Sequence, residues 1–505
     1  MAGCGNNDFF CDKFLFLKKQ YCHIISFYWS SYFGFFVANL DHFLIIWDEQ
    51  YHALVAKNLM KNPFKPVLYE TPLLAYNSQN WTENYIWLHK QPLFLWQIAI
   101  SLKLFGVNEM SVRIPSIIMH AFTTIFIYRI GKISYNNSVG FLGALFFSMA
   151  YYPLELLAGR YSTDHNDVAF LFYVTVSFWA WFEYNRSKKT YWLFLIGLFS
   201  GCAVLVKWIM GFLIYVIWFF TTILDKDKFL FKLKSYKPLA KSLIVSFVVV
   251  IPWQIFIFIK YPNEAFYEFG LNSSHFSSVV ENHGGNFWFH FNALKNIYGS
   301  GFLVPFFLLF GLIILIRNTT EKTYRIVISS AIVFVYAFFT IAKTKMISFT
   351  LIVSPFIFLG LASLVDFLMI LVKKYLKKDK ISVFIKIVFV LITCWFLLNM
   401  PGIERNHSFK YPGDNCGRGK EELLMKYIRE TKKLDNEKYV VFNTGIRLNG
   451  RISVMFYTNS IAYDFIPDKE QIDKIRCREY KIAVFDTGNL PDYILNDDRI
   501  VKIKP

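Results

Sequence analysis

The sequence is poor in charged residues. Only 18% of its 505 residues are Asp, Glu, Lys or Arg, whereas 55% are hydrophobic and the mean hydropathy is +0.36. This content of hydrophobic residues is too high for a protein with one soluble core. It also lacks ten-residue stretches that alternate strictly between apolar and polar side chains, which argues against a transmembrane barrel. We therefore expect a polytopic α-helical membrane protein.

Cysteine is scarce as well. The seven cysteines show no spacing typical of a metal site. Cys416 and Cys477 both fall in the C-terminal tail, where they either form a disulfide in an oxidising compartment or remain two free thiols. The sequence leaves both alternatives open.

Apolar runs long enough to cross about 30 Å of hydrocarbon as helices recur up to residue 400. They predict about eleven transmembrane helices in a catalytic domain of residues 1–400. The predicted spans are 24–46, 112–130, 139–157, 166–184, 191–206, 208–224, 241–260, 299–316, 326–342, 347–372 and 382–400, with an interfacial segment at 92–106. Two long loops, 47–91 and 261–298, interrupt the series, and loops of this length usually have a function.

The formal net charge is +18, but the basic residues do not form an aromatic-interleaved patch, so nucleic acid is not a predicted partner. They concentrate in alternate loops, which is the positive-inside pattern. This pattern places loops 47–91 and 261–298 and the tail outside the cytoplasm. The expected location is a bacterial inner (plasma) membrane, with the active site and the tail on the periplasmic side.

The composition becomes mixed and charged after Pro401, which predicts a small extracytoplasmic α/β domain over residues 401–505. We expect an amphipathic helix at 418–432 and strands at 438–443, 452–458, 481–486 and 499–504. The tail has no Gly-rich phosphate loop, nucleophile elbow or paired acids of its own. A structural or acceptor-docking role is favoured over catalysis.

Two of the predicted external features lie around the first long loop. Asp48 and Glu49 are adjacent acids just past the first apolar run, and Lys90 precedes a proline and another apolar segment. A solvated helix start would also explain the acids, and a snorkelling side chain would explain the lysine. Ionisable groups at a bilayer edge are nevertheless typical of functional sites.

Two further features oppose the charge pattern. The string "GRYSTDHNDVAFLF" places Arg160, Asp164 and Asp167 at the outer end of a span, which is costly unless these side chains face a cavity. Lys343 and Lys345 in "AKTKMISFT" are external lysines that suit a phosphate ligand or an ordinary lipid headgroup. A lipid-phosphate sugar requires both signs, because cations stabilise the departing phosphate while a carboxylate takes the proton of the acceptor hydroxyl.

The motifs "WDEQYHALVAKNL", "HKQPLFLWQIAISLKLFGVNEMSVRIPS", "GRYSTDHNDVAFLFY" and "KTKMISFTLIVSPFIFLG" together resemble polyprenyl-phosphate-sugar glycosyltransferases of the GT-C superfamily. The resemblance covers most of the membrane part and is closest to the protein O-mannosyltransferase (family 39) group and the lipid A aminoarabinose transferases. It implies a GT-C fold and the inverting transfer of a sugar to a hydroxyl on a protein, lipid A or a glycan.

The resemblance also implies roles for single residues. Asp48 is expected to act as base or to orient the acceptor, with Glu49 beside it, and Lys90 to hold the donor phosphate. Asp164 or Asp167 should be the second acid, with Asp164 preferred. The remaining phosphate contacts are expected from Arg160, Lys343 and Lys345.

The sequence requires no cofactor, although a divalent metal stays open through the weak ligand candidates His89, His275 and His283, whose spacing matches no tight zinc motif. The predicted partners are a polyprenyl-phosphate sugar, a hydroxyl acceptor and membrane lipids. A transporter or flippase of a lipid-linked or anionic substrate is the alternative, and an oligosaccharyltransferase-like enzyme is a second one. Transporters more often show internal repeats and mid-membrane charges than acids at one face.

Overall fold

The computed structural model describes residues 22–161, 164–225, 233–375, 379–407 and 418–505, without the side chains of residues 22, 23, 164, 233, 379 and 380. The side chain of Asp164 and the whole of Cys416 therefore lie outside the described residues. The disulfide between Cys416 and Cys477 stays a prediction. Cys477 is exposed, and it forms no disulfide with another cysteine of the described residues.

Helices dominate the described part of the chain. The helices of the membrane part are α1 (Cys22–Ala38), α2 (Asp48–Leu59), α3 (Pro92–Phe105), α4 (Glu109–Ser134), α5 (Asn137–Ser148), α6 (Tyr151–Leu157), α7 (Asp164–Ser187), α8 (Tyr191–Lys207), α9 (Leu213–Leu224), α10 (Lys237–Lys260), α11 (Pro262–Ser277), α12 (Phe289–Asn292), α13 (Leu294–Ile297), α14 (Val304–Asn318), α15 (Lys322–Ile341), α16 (Ser354–Tyr375), α17 (Asp379–Leu398) and α18 (Met400–His407). Short 3-10 helices lie at Trp208–Phe212, Leu233–Tyr236 and Ile347–Val353.

Six helical stretches among the described residues are long and apolar enough to cross a membrane, or seven if the bent pair α5 and α6 forms one span. Three shorter apolar helices are α1, from Ile24, α3 and α14. The chain is thus an integral membrane protein, although the expected count of eleven spans is not confirmed. Helix α7 is long but carries several charged residues, and it is almost entirely buried among the other helices.

The apolar stretch from Tyr191 to Leu224 folds back on itself. Trp208 has a φ of 57°, which interrupts the helix after Lys207. Ser200 Oγ then donates to Gly211 O at 2.8 Å, although the two residues are eleven positions apart. A Cβ on Gly211 would lie 2.3 Å from Val204 N, so the close approach of the two backbones requires glycine here.

Charged side chains divide between the two ends of the helix bundle. Arg113 lies near one end of α4, whereas Arg129 near its other end pairs with Glu183 on α7. Glu183 also accepts from Arg186, and these groups therefore share the end opposite to Arg113. The loop at 47–91 and the C-terminal domain meet at the Arg113 end, because Tyr457 donates to Glu109 at 3.2 Å.

Residues beyond 418 form a small α/β domain around a four-stranded sheet. Its elements are α19 (Arg418–Lys432), β1 (Tyr439–Phe442), α20 (Gly450–Tyr457), β2 (Ile461–Ala462), α21 (Lys469–Arg476), β3 (Lys481–Phe485), α22 (Asp492–Leu495) and β4 (Ile500–Ile503). All pairings are parallel and the strand order is β2-β1-β3-β4. The helical membrane fold with a small C-terminal α/β domain is confirmed.

The strand predicted at 452–458 is wrong, because this segment forms α20. Its β-branched and aromatic residues favour a strand locally, but Ile452, Val454 and Phe456 are all completely buried. A helix of this length can bury them against α2 and the sheet, and packing outweighs local propensity. The short strand β2, which was not predicted, follows it.

The C-terminal domain is fixed to the first long loop by buried polar contacts. Lys57 Nζ donates to Met455 O at 2.8 Å and to Thr458 O at 2.6 Å, at the end of α20. Arg447 donates to Gln50 Oε1 at 2.9 Å. The larger of two hydrophobic clusters runs without a break from Val37 in α1 to Ile503 in β4. The predicted domain boundary at 400 is therefore not a break in packing.

Candidate active site

A cavity of about 940 Å³ lies among α2, α8, α11 and the segment after α15. Charged and polar side chains occupy one part of its wall: Asp48, His89, Lys90, Asp167 and Lys207. Aromatic and aliphatic residues form most of the remainder, including Val204, Trp208, Phe269, Phe276, Phe338, Phe349 and Ile352. The cavity thus combines a charged end with an apolar chamber.

Asp48 and Lys90 form an ion pair at the charged end. The Asp48 Oδ2 and Lys90 Nζ atoms are 3.2 Å apart, and the side chains are 11% and 14% exposed. Burial raises the pKa of Asp48, but the charges of Lys90, His52 and His89 outweigh burial and hold the pKa below its ordinary value. The carboxylate is therefore ionised and can accept a proton.

Local sequence explains how the pair is positioned. Asp48 is the first residue of α2, after Trp47 with a φ of 76°. Lys90 precedes Gln91, the N-cap of α3, and Pro92 occupies the first turn of that helix. Two helix starts thus present the two side chains to the same space.

Glu49 points away from this cavity into the protein. It accepts from Arg113 Nε at 2.8 Å, from Ile45 N at 2.5 Å and lies 3.1 Å from His165 Nε2. Burial raises the pKa of Glu49, but Arg113 and His165 lower it to about 2. Gly159, with a φ of 72°, leaves room for the carboxylate, since a Cβ there would lie 2.4 Å from Glu49 Cδ. These contacts indicate that Glu49 stabilises the fold next to Asp48.

A second charged pair also lines the cavity. Lys207, the last residue of α8, forms an ion pair with Asp167 on α7 and also lies over the Phe349 ring, 5.2 Å from its centroid. Asp167 thus lines the cavity, as Asp48 and Glu281 do. The backbone of Asp164 begins α7, one turn earlier, and its side chain lies outside the described residues.

The other predicted phosphate contacts do not line the cavity. Lys345 Nζ donates to Phe339 O, Thr340 O and Ala342 O at 2.7–3.0 Å, so it satisfies the carbonyls at the end of α15. Lys343 is exposed, and Arg160 is half-buried. Lys207, which the sequence analysis did not single out, lines the cavity instead.

The histidines do not converge on a metal site. Within the described ranges, no group of three or more His, Cys, Asp or Glu side chains is arranged to hold a metal ion. His89 Nδ1 lies 3.1 Å from Glu268 Oε2, and His275 Nδ1 lies 2.9 Å from Leu271 O. His283 contributes a backbone contact to Lys345 N. These residues fit hydrogen-bonding roles rather than a metal centre.

The sequence did not indicate the residues that hold His89. The His89 ring stacks on Trp81 at a centroid distance of 4.3 Å, and Trp81 Nε1 donates to Glu281 Oε1 at 2.5 Å. Glu268, the partner of His89 on α11, is completely buried. Only the fold reveals this arrangement, because loops 47–91 and 261–298 meet at these contacts.

Known proteins share this architecture. The structure matches ArnT from Cupriavidus metallidurans in the apo state with a TM-score of 0.60 and 14% identity, covering 90% of this chain and 88% of that one. It matches the same protein bound to undecaprenyl phosphate with a TM-score of 0.58 and 12% identity, covering 95% and 89%. The Archaeoglobus fulgidus oligosaccharyltransferase AglB, in complex with an inhibitory peptide and a dolichol-phosphate, matches with a TM-score of 0.55 and 13% identity, covering 88% and 64%.

These similarities, with the charged cavity at one end of the helices, define an integral membrane protein of the GT-C fold. The fold implied by the sequence motifs is confirmed. Residues 89–256 match the dolichyl-phosphate-mannose-protein mannosyltransferase family. An uncharacterized protein of Aquifex aeolicus (strain VF5) is 30% identical over 191 residues, which are 37% of this chain and 35% of that relative.

Proposed function

We propose that the protein is an inverting glycosyltransferase that moves a sugar from a polyprenyl-phosphate donor to a hydroxyl acceptor. The observation that carries this proposal is the buried Asp48–Lys90 pair at the mouth of a large apolar chamber. A carboxylate held ionised suits a general base, and an adjacent ammonium suits a departing phosphate. The chamber volume suits a lipid-linked ligand, since ordinary ligand pockets span about 300–1,000 Å³.

The proposed step is a single displacement. The acceptor hydroxyl oxygen attacks the anomeric carbon from the face opposite the phosphate, and the bond between that carbon and the phosphate oxygen breaks. Asp48 takes the hydroxyl proton, while the electron pair of the broken bond stays on the lipid phosphate. Lys90 and Lys207, which both line the cavity, stabilise the phosphate charge, and the anomeric configuration inverts.

His89 and Asp167 also line the cavity, where contacts with other side chains fix their positions. Glu268 holds the His89 ring from its Nδ1 side, and Trp81 fixes the plane of the ring. Asp167 holds Lys207 in the wall through their ion pair. We assign positioning roles to Glu268 and Asp167, with Asp167 as the second acid.

The similar proteins add independent support. One matched ArnT structure contains undecaprenyl phosphate, and one matched AglB structure contains a dolichol-phosphate. The matched family is named for a dolichyl-phosphate-mannose donor. These names favour a lipid-phosphate sugar over the alternative of a transporter or flippase. The basic residues at the bundle end opposite to the cavity support an extracytoplasmic site, in a bacterial inner membrane on the periplasmic side.

Replacing Asp48 tests the proposal. Glycans and lipids of a deletion strain are compared with wild type by mass spectrometry to identify the missing sugar, and the strain is then complemented. Asp48→Asn should restore none of the product while the protein accumulates normally in the membrane. Glu70→Gln, which changes an exposed carboxylate paired with Lys61, should restore it fully. Normal product with Asp48→Asn would contradict the mechanism.

A further inference from the structure

A second cleft, of about 680 Å³, lies between the first long loop and the C-terminal domain. Tyr69 and Tyr76 contribute from the loop, and Tyr463 and Asp464 contribute from the segment directly after β2. Gln471, in the first turn of α21, closes another side. The cleft is distinct from the cavity that contains Asp48 and Lys90.

The cleft lies at the carboxyl edge of the parallel sheet. β2 ends at Ala462, and the residues that follow it line the cleft. The end of β1 meets the same edge, since Asn443 N donates to Phe465 O at 2.9 Å. In open α/β sheets, ligands bind outside the carboxyl ends of the strands, most often where the strand order reverses. Here the reversal lies between β1 and β3, and the cleft lies beside it, at the end of the edge strand β2.

The walls of the cleft are held in place by contacts between the loop and the domain. Arg451 Nη2 donates to Thr82 O at 2.7 Å, and Arg451 Nη1 donates to Asp464 Oδ2 at 2.6 Å. The Tyr69 and Tyr463 rings stack with centroids 5.6 Å apart and an interplanar angle of 18°. The cleft is thus preformed, as ligand sites usually are.

The lining favours a polyhydroxylated ligand. Four carboxylates line the cleft, from Glu83, Asp464, Asp468 and Glu470, against the two cations Arg451 and Lys474. Asp464 is paired with Arg451, and Asp468 caps α21, so Glu83 and Glu470 are the acceptors considered for ligand hydroxyls. The excess of acids disfavours a phosphate but suits hydroxyl groups that donate to carboxylates. Tyr76 is 45% exposed and offers a ring to the C–H face of a sugar. A saccharide chain matches both features.

A single strip of chain separates the cleft from the proposed active site. Trp81 and Thr82 line the Asp48 cavity, whereas Glu83, the next residue, lines the cleft. Tyr51, on α2 three residues after Asp48, donates to Thr82 O at 3.4 Å. A ligand in the cleft is therefore separated from the charged cavity by the width of this strip.

We infer that the cleft binds a saccharide portion of the acceptor, remote from the hydroxyl that reacts. The identity of this ligand as the acceptor rests on the proposed transferase function. Binding of the saccharide itself does not require catalysis. Contacts to remote parts of a substrate supply binding energy that orients the reacting group. The cleft would thus select the acceptor, while the Asp48 cavity holds the donor.

The test is saccharide binding to the full-length protein in detergent. Wild type is applied to a printed array of neutral, amino and acidic oligosaccharides, and the strongest hit is measured in solution by titration calorimetry. Tyr76→Ala and Glu83→Gln should each weaken that binding about ten-fold, since one lost ring stack or hydrogen bond is worth about 1 kcal/mol or more. Tyr375→Ala, an exposed tyrosine 75% accessible on α16, is the matched control and should leave it unchanged.

Asp48→Asn separates this inference from the proposed function. The variant should bind the saccharide as wild type does, whatever becomes of transfer. Absence of any saccharide binding by wild type, or binding that Tyr76→Ala and Glu83→Gln leave intact, would overturn the inference. Selective, Tyr76-dependent binding of a Ser/Thr-rich peptide in place of saccharides would overturn the assignment of ligand class. Saccharide binding without any glycosyl transfer would instead remove the proposed function alone.

Discussion

Two neighbouring acids have different tasks because a helix turns about 100° per residue. Asp48 faces the cavity and pairs with Lys90, whereas Glu49 faces the interior and pairs with Arg113. Both Glu49 and Arg113 are completely excluded from solvent. Breaking one partner of a buried pair is costly because the remaining charge is left uncompensated.

Glu49→Gln should therefore destabilise the fold. The loss should be about 3 kcal/mol or more, measured by thermal unfolding in detergent, because Arg113 stays buried without its counter-ion. Glu70→Gln, which removes an exposed carboxylate paired with Lys61, is the control and should unfold close to wild type. A Glu49→Gln variant as stable as wild type yet inactive would give Glu49 a direct catalytic role.

Glu49 also predicts an acid dependence of stability. Its pKa falls from about 4.5 to about 2 in the folded protein, so the unfolded state binds more protons between these values. The stabilisation is complete above about pH 4.5 and is lost as the pH falls towards 2. Denaturant unfolding measured between pH 6 and pH 3 should show this loss, and Glu49→Gln should show less of it.

Lys90 sets the protonation of Asp48 as well as holding the proposed phosphate. In Lys90→Gln, burial acts on Asp48 with less opposing charge, so the Asp48 pKa rises. The acid limb of the kcat/KM profile should move to higher pH, and kcat/KM should fall about 100-fold or more. Lys90→Arg keeps the charge and should keep the position of the limb. An unmoved limb in Lys90→Gln would argue against Asp48 as the base.

At the residue scale, the sequence indicated Asp48, Lys90 and Asp167 because ionisable groups beside apolar runs are conspicuous. It could not separate these from Lys345, which has the same setting. Lys345 differs from them because its ammonium donates to three carbonyls at the end of α15. This contact depends on where the helix ends, which the sequence does not show. Nothing in the sequence indicated a role for Glu268, because its partner His89 is 179 positions away.

Helix α20 connects the C-terminal domain to the membrane part. It packs against α2, and its last carbonyls accept from Lys57 on that helix. Burial lowers the pKa of Lys57 to about 8, because desolvation disfavours the charged form. The contact therefore depends on backbone carbonyls rather than on a counter-ion.

Lys57→Met should loosen this junction. The lost hydrogen bonds leave the end of α20 unsatisfied, so limited proteolysis should release the C-terminal domain several times faster than in wild type. Lys61→Met, one turn further along, removes an exposed pair with Glu70 and should change little. Equal digestion of both variants would mean that apolar packing alone holds the junction.

Helices and strands with a clear apolar periodicity, or with a long apolar run, could be predicted from the sequence. Elements whose conformation depends on tertiary packing could not. The helix at 418–432 and the strands around β1, β3 and β4 follow their local patterns. The segment at 452–458 does not, because its burial on several sides requires a helix. Helix α2 was hidden within a long loop for the same reason, since it becomes buried only against other parts of the fold. Helix α11 was also missed; it buries only Ala265 and Glu268.

On the scale of the whole molecule, the proposed orientation in the membrane rests on the charge pattern and on the shared end of the loops and tail. Cys477 offers a native probe of this orientation, since it is exposed in the C-terminal domain. If the tail is periplasmic, a membrane-impermeant maleimide should label Cys477 in spheroplasts without lysis, directly or after reduction. Cys477→Ser should remove the part of the labelling that this residue contributes.

The same experiment addresses the pairing with Cys416. Labelling without a reductant indicates a free thiol, whereas labelling that requires a reductant indicates a disulfide in an oxidising compartment. Labelling only after lysis would place the tail in the cytoplasm and contradict the proposed location of the site.

The unbroken hydrophobic core between α1 and β4 has a consequence for how the chain is handled in the laboratory. From the sequence alone the small domain could be a separate module, yet its buried face is completed by the first long loop. That loop in turn carries the proposed catalytic pair, Asp48 and Lys90. A truncation after residue 400 should therefore yield an insoluble or rapidly degraded membrane fragment rather than a minimal enzyme. Structural work and activity assays should therefore both use a chain that includes the C-terminal domain.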